Sequence, residues 1–100
     1  MITFNELLEK TKNEDIAVHT PTEDEAITLL SELDKKGYEW ISGKKLTDIT
    51  NYEVQKEKTC YVLRTSIHSI FNTVSFCPLQ LCREKKYAIV EFTYIDFKEE

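Results

Sequence analysis

The strongest pattern along the chain lies between Thr20 and Gly37. Ala26, Leu29, Leu30 and Leu33 recur at i, i+3, i+4 and i+7, the spacing that lines one face of a helix. Thr20 can cap this helix, with Pro21 at its first position and Glu23 closing a capping box. Acids at 23–25 suit the positive end, Lys35 and Lys36 suit the other, and Gly37 stops the helix. A shorter helix is expected near the start, where Thr3–Glu6 fits a capping box and Phe4, Leu7 and Leu8 make a face. The run Asn13-Glu14-Asp15 breaks it.

Elsewhere the period changes from helix to strand. Ile16–His19 reads as a short buried strand, and Tyr38–Ser42 as an alternating one that leaves the long helix. Strand, helix and strand with such short joints predict a right-handed crossover and two roughly parallel strands. Thr59–Arg64 and Asn72–Cys77 are β-rich, with a turn near His68-Ser69 between them. Pro78 opens a short helix through about Arg83, and Tyr87–Ile95 is the longest strand signal, apolar enough to be central. Residues 43–58 are polar and irregular, with partial helix. The expected fold is α/β (α+β): a single small domain over residues 1–100, with a mixed sheet of four or five strands. One long helix packs on one face of it, with short extra helices at the edges.

Composition narrows the classes. With 100 residues, 41% of them hydrophobic, the chain can bury a core without staples and is not disordered. Apolar runs fall far short of the roughly 20 residues of a membrane span. The first residues read as neither a secretory signal nor a transit peptide. Three cysteines without a CxxC predict free thiols and a reducing, cytoplasmic setting. The net charge of −5 is uneven: residues 1–34 hold nine acids against Lys10 and Lys12, whereas residues 35–86 hold ten bases against five acids. Such a chain is no general nucleic-acid binder, but it can offer a local cationic pocket or an acidic docking face.

Four segments carry a resemblance: "IAVHTPTEDEA", "KKGYEWISGKK", "EKTCYVL" and "KKYAIVEF". Together they resemble a group of small accessory proteins of phages, prophages and mobile elements in low-GC Gram-positive bacteria. That group carries V-A-V-H-x-P-T-E, G-Y-x-W-x-S-G, N-T-C-Y and G-Y-x-I-I-E-F. The match spans residues 16–95. It departs at "EKTCY", where an Asn often precedes the Thr, and at "FCPLQLC", where the group is polar. The resemblance implies a phage-borne counter-defence protein in the host cytosol, sequestering a nucleotide signal or jamming a defence complex.

The candidate chemistry is sparse. His19, His68, Cys60, Cys77 and Cys82 have no zinc-like spacing, so no metal or other cofactor is expected. Nothing marks Cys60 as an activated nucleophile beside His19 or His68, and no carboxylate pair is marked either, so no catalytic residue is assigned. The ligand-binding expectation gathers at one rim of the sheet. Trp40 offers a face for a base, Ser42 and Gly43 a turn that approaches a ligand closely, and Lys44, Lys45 and Arg64 charges for phosphates. Tyr61 adds a hydroxyl, and His19 and Thr20 lie where a parallel first strand would end beside Trp40. Otherwise Trp40 packs under the long helix and the lysines cover a turn. The partner is accordingly a small nucleotide-like ligand, with no direct nucleic-acid or membrane binding. The alternative is a host defence protein, held by Glu23, Asp24 and Glu25 as phosphate mimics. A small hydrolase with His19 as base is a third reading. An edge strand and the aromatic loop would suit a homo-oligomer.

Overall fold

The computed structural model describes residues 1–65 and 72–98, the side chain of Thr65 excepted; the expected turn at His68-Ser69, and His68 itself, lie outside the described residues. In chain order the elements are β1 (Ile2–Thr3), α1 (Phe4–Lys10), β2 (Ile16–His19), α2 (Glu23–Lys35) and β3 (Tyr38–Trp40). Then come α3 (Tyr52–Gln55), a 3-10 turn (Lys56–Lys58), β4 (Thr59–Thr65), β5 (Asn72–Pro78), α4 (Leu79–Glu84), β6 (Ala88–Glu91), a second 3-10 turn (Phe92–Tyr94) and β7 (Ile95–Asp96). The α+β architecture holds: a five-stranded mixed sheet in the order β3-β5-β4-β2-β6, with a small parallel pair β1-β7 beside it.

The long helix forms where its stripe predicts, but starts later. Thr20 N–H donates to Thr59 O at 3.0 Å, which prolongs the β2–β4 ladder and holds Thr20 in it. Thr22 is therefore the cap: its hydroxyl accepts from Glu25 N–H, and the Glu25 carboxylate accepts from Thr22 N–H, a full capping box. Ala26, Leu29, Leu30 and Leu33 are all buried against the sheet. Each leucine so buried contributes roughly 1.5–3 kcal/mol.

Three expectations are corrected. First, β2 and β3 do run parallel, since both oppose or follow the chain of pairings through β4 and β5, but those two strands lie between them. Second, Tyr87–Ile95 is not a central strand. Ala88–Glu91 pairs with β2 at the sheet's edge, Phe92–Tyr94 form a 3-10 turn, Ile95 begins β7 beside β1, and central position belongs to β4. Glu91 meets His19, the last residue of β2, and the chain then turns. Third, the cysteines are not all free. Cys77 and Cys82 form a disulfide, and Cys60 is the free, buried one. Pro78 turns the chain from strand into α4, which folds back over the same face and brings Cys82 to Cys77.

The two faces of the sheet differ. Ile16, Val18, Tyr61, Leu63, Val74, Tyr38 and Trp40 point to the side covered by α1 and α2 and make the main core. Ala17, Cys60 and Val62 point to the other side, under α4, with Cys82 and the partly buried Cys77, Leu79, Tyr87 and Ile89. Alternation along each strand enforces this division.

Candidate functional site

β3 is short because its sequence turns it. Tyr38 and Trp40 point inward and Glu39 outward. Gly43 N–H then donates to Trp40 O at 2.7 Å and Trp40 N–H to Lys44 O at 3.0 Å, a tight reversal. It needs the positive φ of Gly43, +88°, which L side chains rarely adopt. The returning chain makes a bridge from Lys45 to Glu39 and then drops Leu46 into the core.

Beyond that reversal lies a cleft of about 280 Å³. Trp40, Ile41, Ile49 and Phe76 supply its apolar lining. Ser42, Lys44, Asn51 and Ser75 supply its polar groups. Trp40 is both wall and core: only 4% exposed, its ring meets Tyr61 at 5.9 Å and the edge of Phe76 at 6.1 Å. Its indole N–H donates to Ile49 O at 3.1 Å. Tyr61 lies behind it, fully buried, and its hydroxyl donates to Thr50 O at 2.6 Å. These two bonds pin the loop that carries Ile49 and Asn51. Burial, then the carboxylate of Glu53, pushes the Tyr61 hydroxyl well above its ordinary range, so it stays a donor.

Of the residues expected at one rim, the structure brings Trp40, Ser42 and Lys44 together at this cleft. Gly43 shapes the turn, and Lys45 is exposed outside the lining. The others are elsewhere. His19 and Thr20 end β2, three strand spacings or about 14 Å away across the sheet. Arg64 lies level with Glu39, but alternation along β4 turns it to the other face of the sheet from Trp40, where it donates to the Tyr87 hydroxyl at 3.1 Å and lies 4.0 Å from Asp15. A single pocket joining His19, Trp40 and Arg64 does not form. The long helix does cover the core to which the indole belongs, as the alternative arrangement had it, yet one side of the indole borders the cleft.

His19 is not poised as a base. Its Nε2–H donates to Glu57 O at 2.7 Å, and Nδ1 lies 2.7 Å from the Glu91 carboxylate, so both ring nitrogens are engaged. Cys60, opposite His19 in the ladder, is no nucleophile: burial, with Glu91 adding to it and Arg83 opposing, pushes its thiol up to about 11. Among the described residues no three His, Cys, Asp or Glu side chains are placed to hold a metal ion, and no helix is long and apolar enough to cross a membrane.

Ile41, Ile49, Asn51, Ser75 and Phe76 escaped the reading of the sequence. Ile41 had a signal: in a strand where Trp40 points inward, its neighbour must point out, and an exposed isoleucine there (68%) marks a surface. Phe76 and Asn51 had none, for they come from segments brought close only by strand order. Comparison with protein-family models, curated proteins and solved structures gives no match.

Proposed function

We propose that this protein is a stoichiometric binding protein that captures a small nucleotide-like molecule in the cleft at the end of β3. In the setting implied by its resemblance to phage accessory proteins, that molecule is an immune signal in the host cytosol. The observation that supports this reading is the lining: two aromatic side chains and two isoleucines beside three neutral polar side chains and one ammonium group, Lys44. The partly exposed Phe76 ring can stack on a base, an interaction worth roughly 1–3 kcal/mol, while the buried Trp40 backs the cleft, and an ammonium at the rim suits a phosphate. The volume is at the lower end of small-ligand sites, about 300 Å³ upward, which favours one base at a time. The Cys77–Cys82 bond sits on the other face, so the cleft does not depend on it.

The test is thermal denaturation with and without mononucleotides and cyclic dinucleotides, with and without reductant. A ligand at 100 times its Kd stabilises by about 2.7 kcal/mol. Stabilisation that is lost in Lys44→Ala at low salt, with ligand recovered chemically intact, supports the reading. No shift with any nucleotide at millimolar concentration ends it, and recovery of a cleaved ligand makes the protein an enzyme.

A second reading has its own observation. Glu23 and Glu25 at the start of α2 gather with Glu57 around Tyr52, whose hydroxyl donates to Pro21 O at 2.6 Å. Burial and these carboxylates raise the Tyr52 hydroxyl above its ordinary value. With Asp24 exposed beside them, the face suits occlusion of a basic surface on a defence protein. Reversing Glu23 and Asp24 to Lys, while keeping Glu25 for its cap, abolishes inhibition in cells on this reading and leaves it intact on the first.

A further inference from the structure

We infer that the cleft reads the hydrogen-bonding edge of a single nucleobase through the main chain of Phe76. This rests on the cleft being the binding site and adds what it recognises.

Ile41 N–H donates to Val74 O at 3.1 Å, so the main-chain groups of Val74 face β3. The β4–β5 register runs without a bulge from Thr59↔Pro78 to Thr65↔Asn72. In a regular strand alternate residues turn their N–H and C=O to alternate sides. The main-chain groups of Ser75 and Cys77 therefore serve β4, and those of Phe76 face the same side as those of Val74. On that side β3 has ended. The reversal from Trp40 to Lys44 carries the chain away, and among the described residues nothing bonds to Phe76 N–H or C=O. One donor and one acceptor thus stand side by side in the plane of the sheet, at the wall of a cleft lined by Trp40, Ile41 and Ile49.

Such a pair is matched by a flat ring with an acceptor next to a donor on one edge. Nucleobases carry this pattern; adenine shows it with N7 and its exocyclic amine. A ring lying in the plane of the sheet meets both Phe76 groups while its faces contact apolar side chains, and a phosphate can reach Lys44.

An extended peptide adding to the edge of β5 is the competing occupant, and the edge is too short for it. Among the described residues of β5 beyond Val74, Phe76 alone has both main-chain groups free in the right direction. The next outward residue is Pro78, which has no N–H. Strand addition draws its affinity from a row of main-chain bonds, and here the row is one residue long.

The test uses the full chain labelled with 15N-phenylalanine, with the Phe76 amide assigned through Phe76→Leu. It is titrated with AMP, GMP, CMP and UMP while Trp40 fluorescence is followed. The inference expects the Phe76 amide to move downfield and its exchange with solvent to slow at least tenfold as the base binds. The best-bound nucleotide should lose at least tenfold in affinity when its edge donor is methylated away, as in the N6,N6-dimethyl analogue of AMP. Binding reported by Trp40 with an unmoved Phe76 amide and an equally well bound methylated analogue overturns the inference but keeps the cleft. No response to any of the four nucleotides at millimolar concentration overturns both.

Discussion

β2 and β3 run in the same direction, β3 stopping level with Ile16 where β2 begins, and their ends are unlike. At the end of β2, His19 is held by Glu91 and by Glu57 O, Thr20 by Thr59 O, and Pro21 O by the Tyr52 hydroxyl. At the end of β3 the chain folds away and leaves a cleft over Trp40 and Phe76. The cause is position in the sheet. β2 has a strand on either side, and β4 meets even Thr20, the residue after its end. β3 is an edge strand whose single neighbour, β5, continues four residues past it. Open hydrogen-bonding groups arise where a strand outlives its partner, and function is best sought there. A strand end that is merely close to a helix start, as at His19-Thr20, is already satisfied.

Substitutions at the two ends put this contrast to the test. The largest effect is expected from Trp40→Ala, which empties a buried site and costs about 3–5 kcal/mol in chemical denaturation. That residue therefore cannot report on binding alone, and Lys44 and the Phe76 amide are the cleaner probes. An intact stability in Trp40→Ala would mean that the open end is not anchored in the core.

Cys60 tests the closed end by pH. Its thiol is raised from 9.0 to about 11 in the folded chain, so the unfolded chain gives up this proton first. Stability is then fully present below pH 9 and declines as pH rises toward 11, by an amount on the order of 2 kcal/mol. Cys60→Ala removes that part of the slope, whatever it does to stability at pH 7. Equal alkaline slopes in the two proteins would show the thiol to be solvated.

His19→Ala is expected to cost about 1–2 kcal/mol, since it loses two hydrogen bonds but Glu91 remains partly solvated. Nucleotide affinity should stay within twofold. A large loss of affinity would join the two ends into one site and erase the contrast. The smallest effect on stability, under about 0.5 kcal/mol, is expected from Lys44→Ala, because Lys44 is exposed; its signature is a weaker dependence of ligand affinity on salt.

Much of the local structure was legible. The stripe Ala26-Leu29-Leu30-Leu33 predicts α2 and its buried face, and β-branched and aromatic runs predict β4 and β5, because these patterns are repeated within a few residues. The turn at Ser42-Gly43 was legible for the same reason: Gly43 alone supplies its positive φ. Three of the eight residues of the candidate site followed from that turn, namely Trp40, Ser42 and Lys44. Ile41 adjoins the turn, and Ile49, Asn51, Ser75 and Phe76 come from segments whose approach depends on strand order.

The amino-acid sequence by itself thus determined which segments are helix or strand and which side chains face inward, since propensity, capping and alternation act over short distances. Only the tertiary structure decided that β4 and β5 lie between β2 and β3. That separated His19 from Trp40 and, among the described residues, left the main-chain groups of Phe76 without a partner. Pairing between strands is a contest among distant segments for the same hydrogen-bonding edges, and its outcome depends on all of them at once.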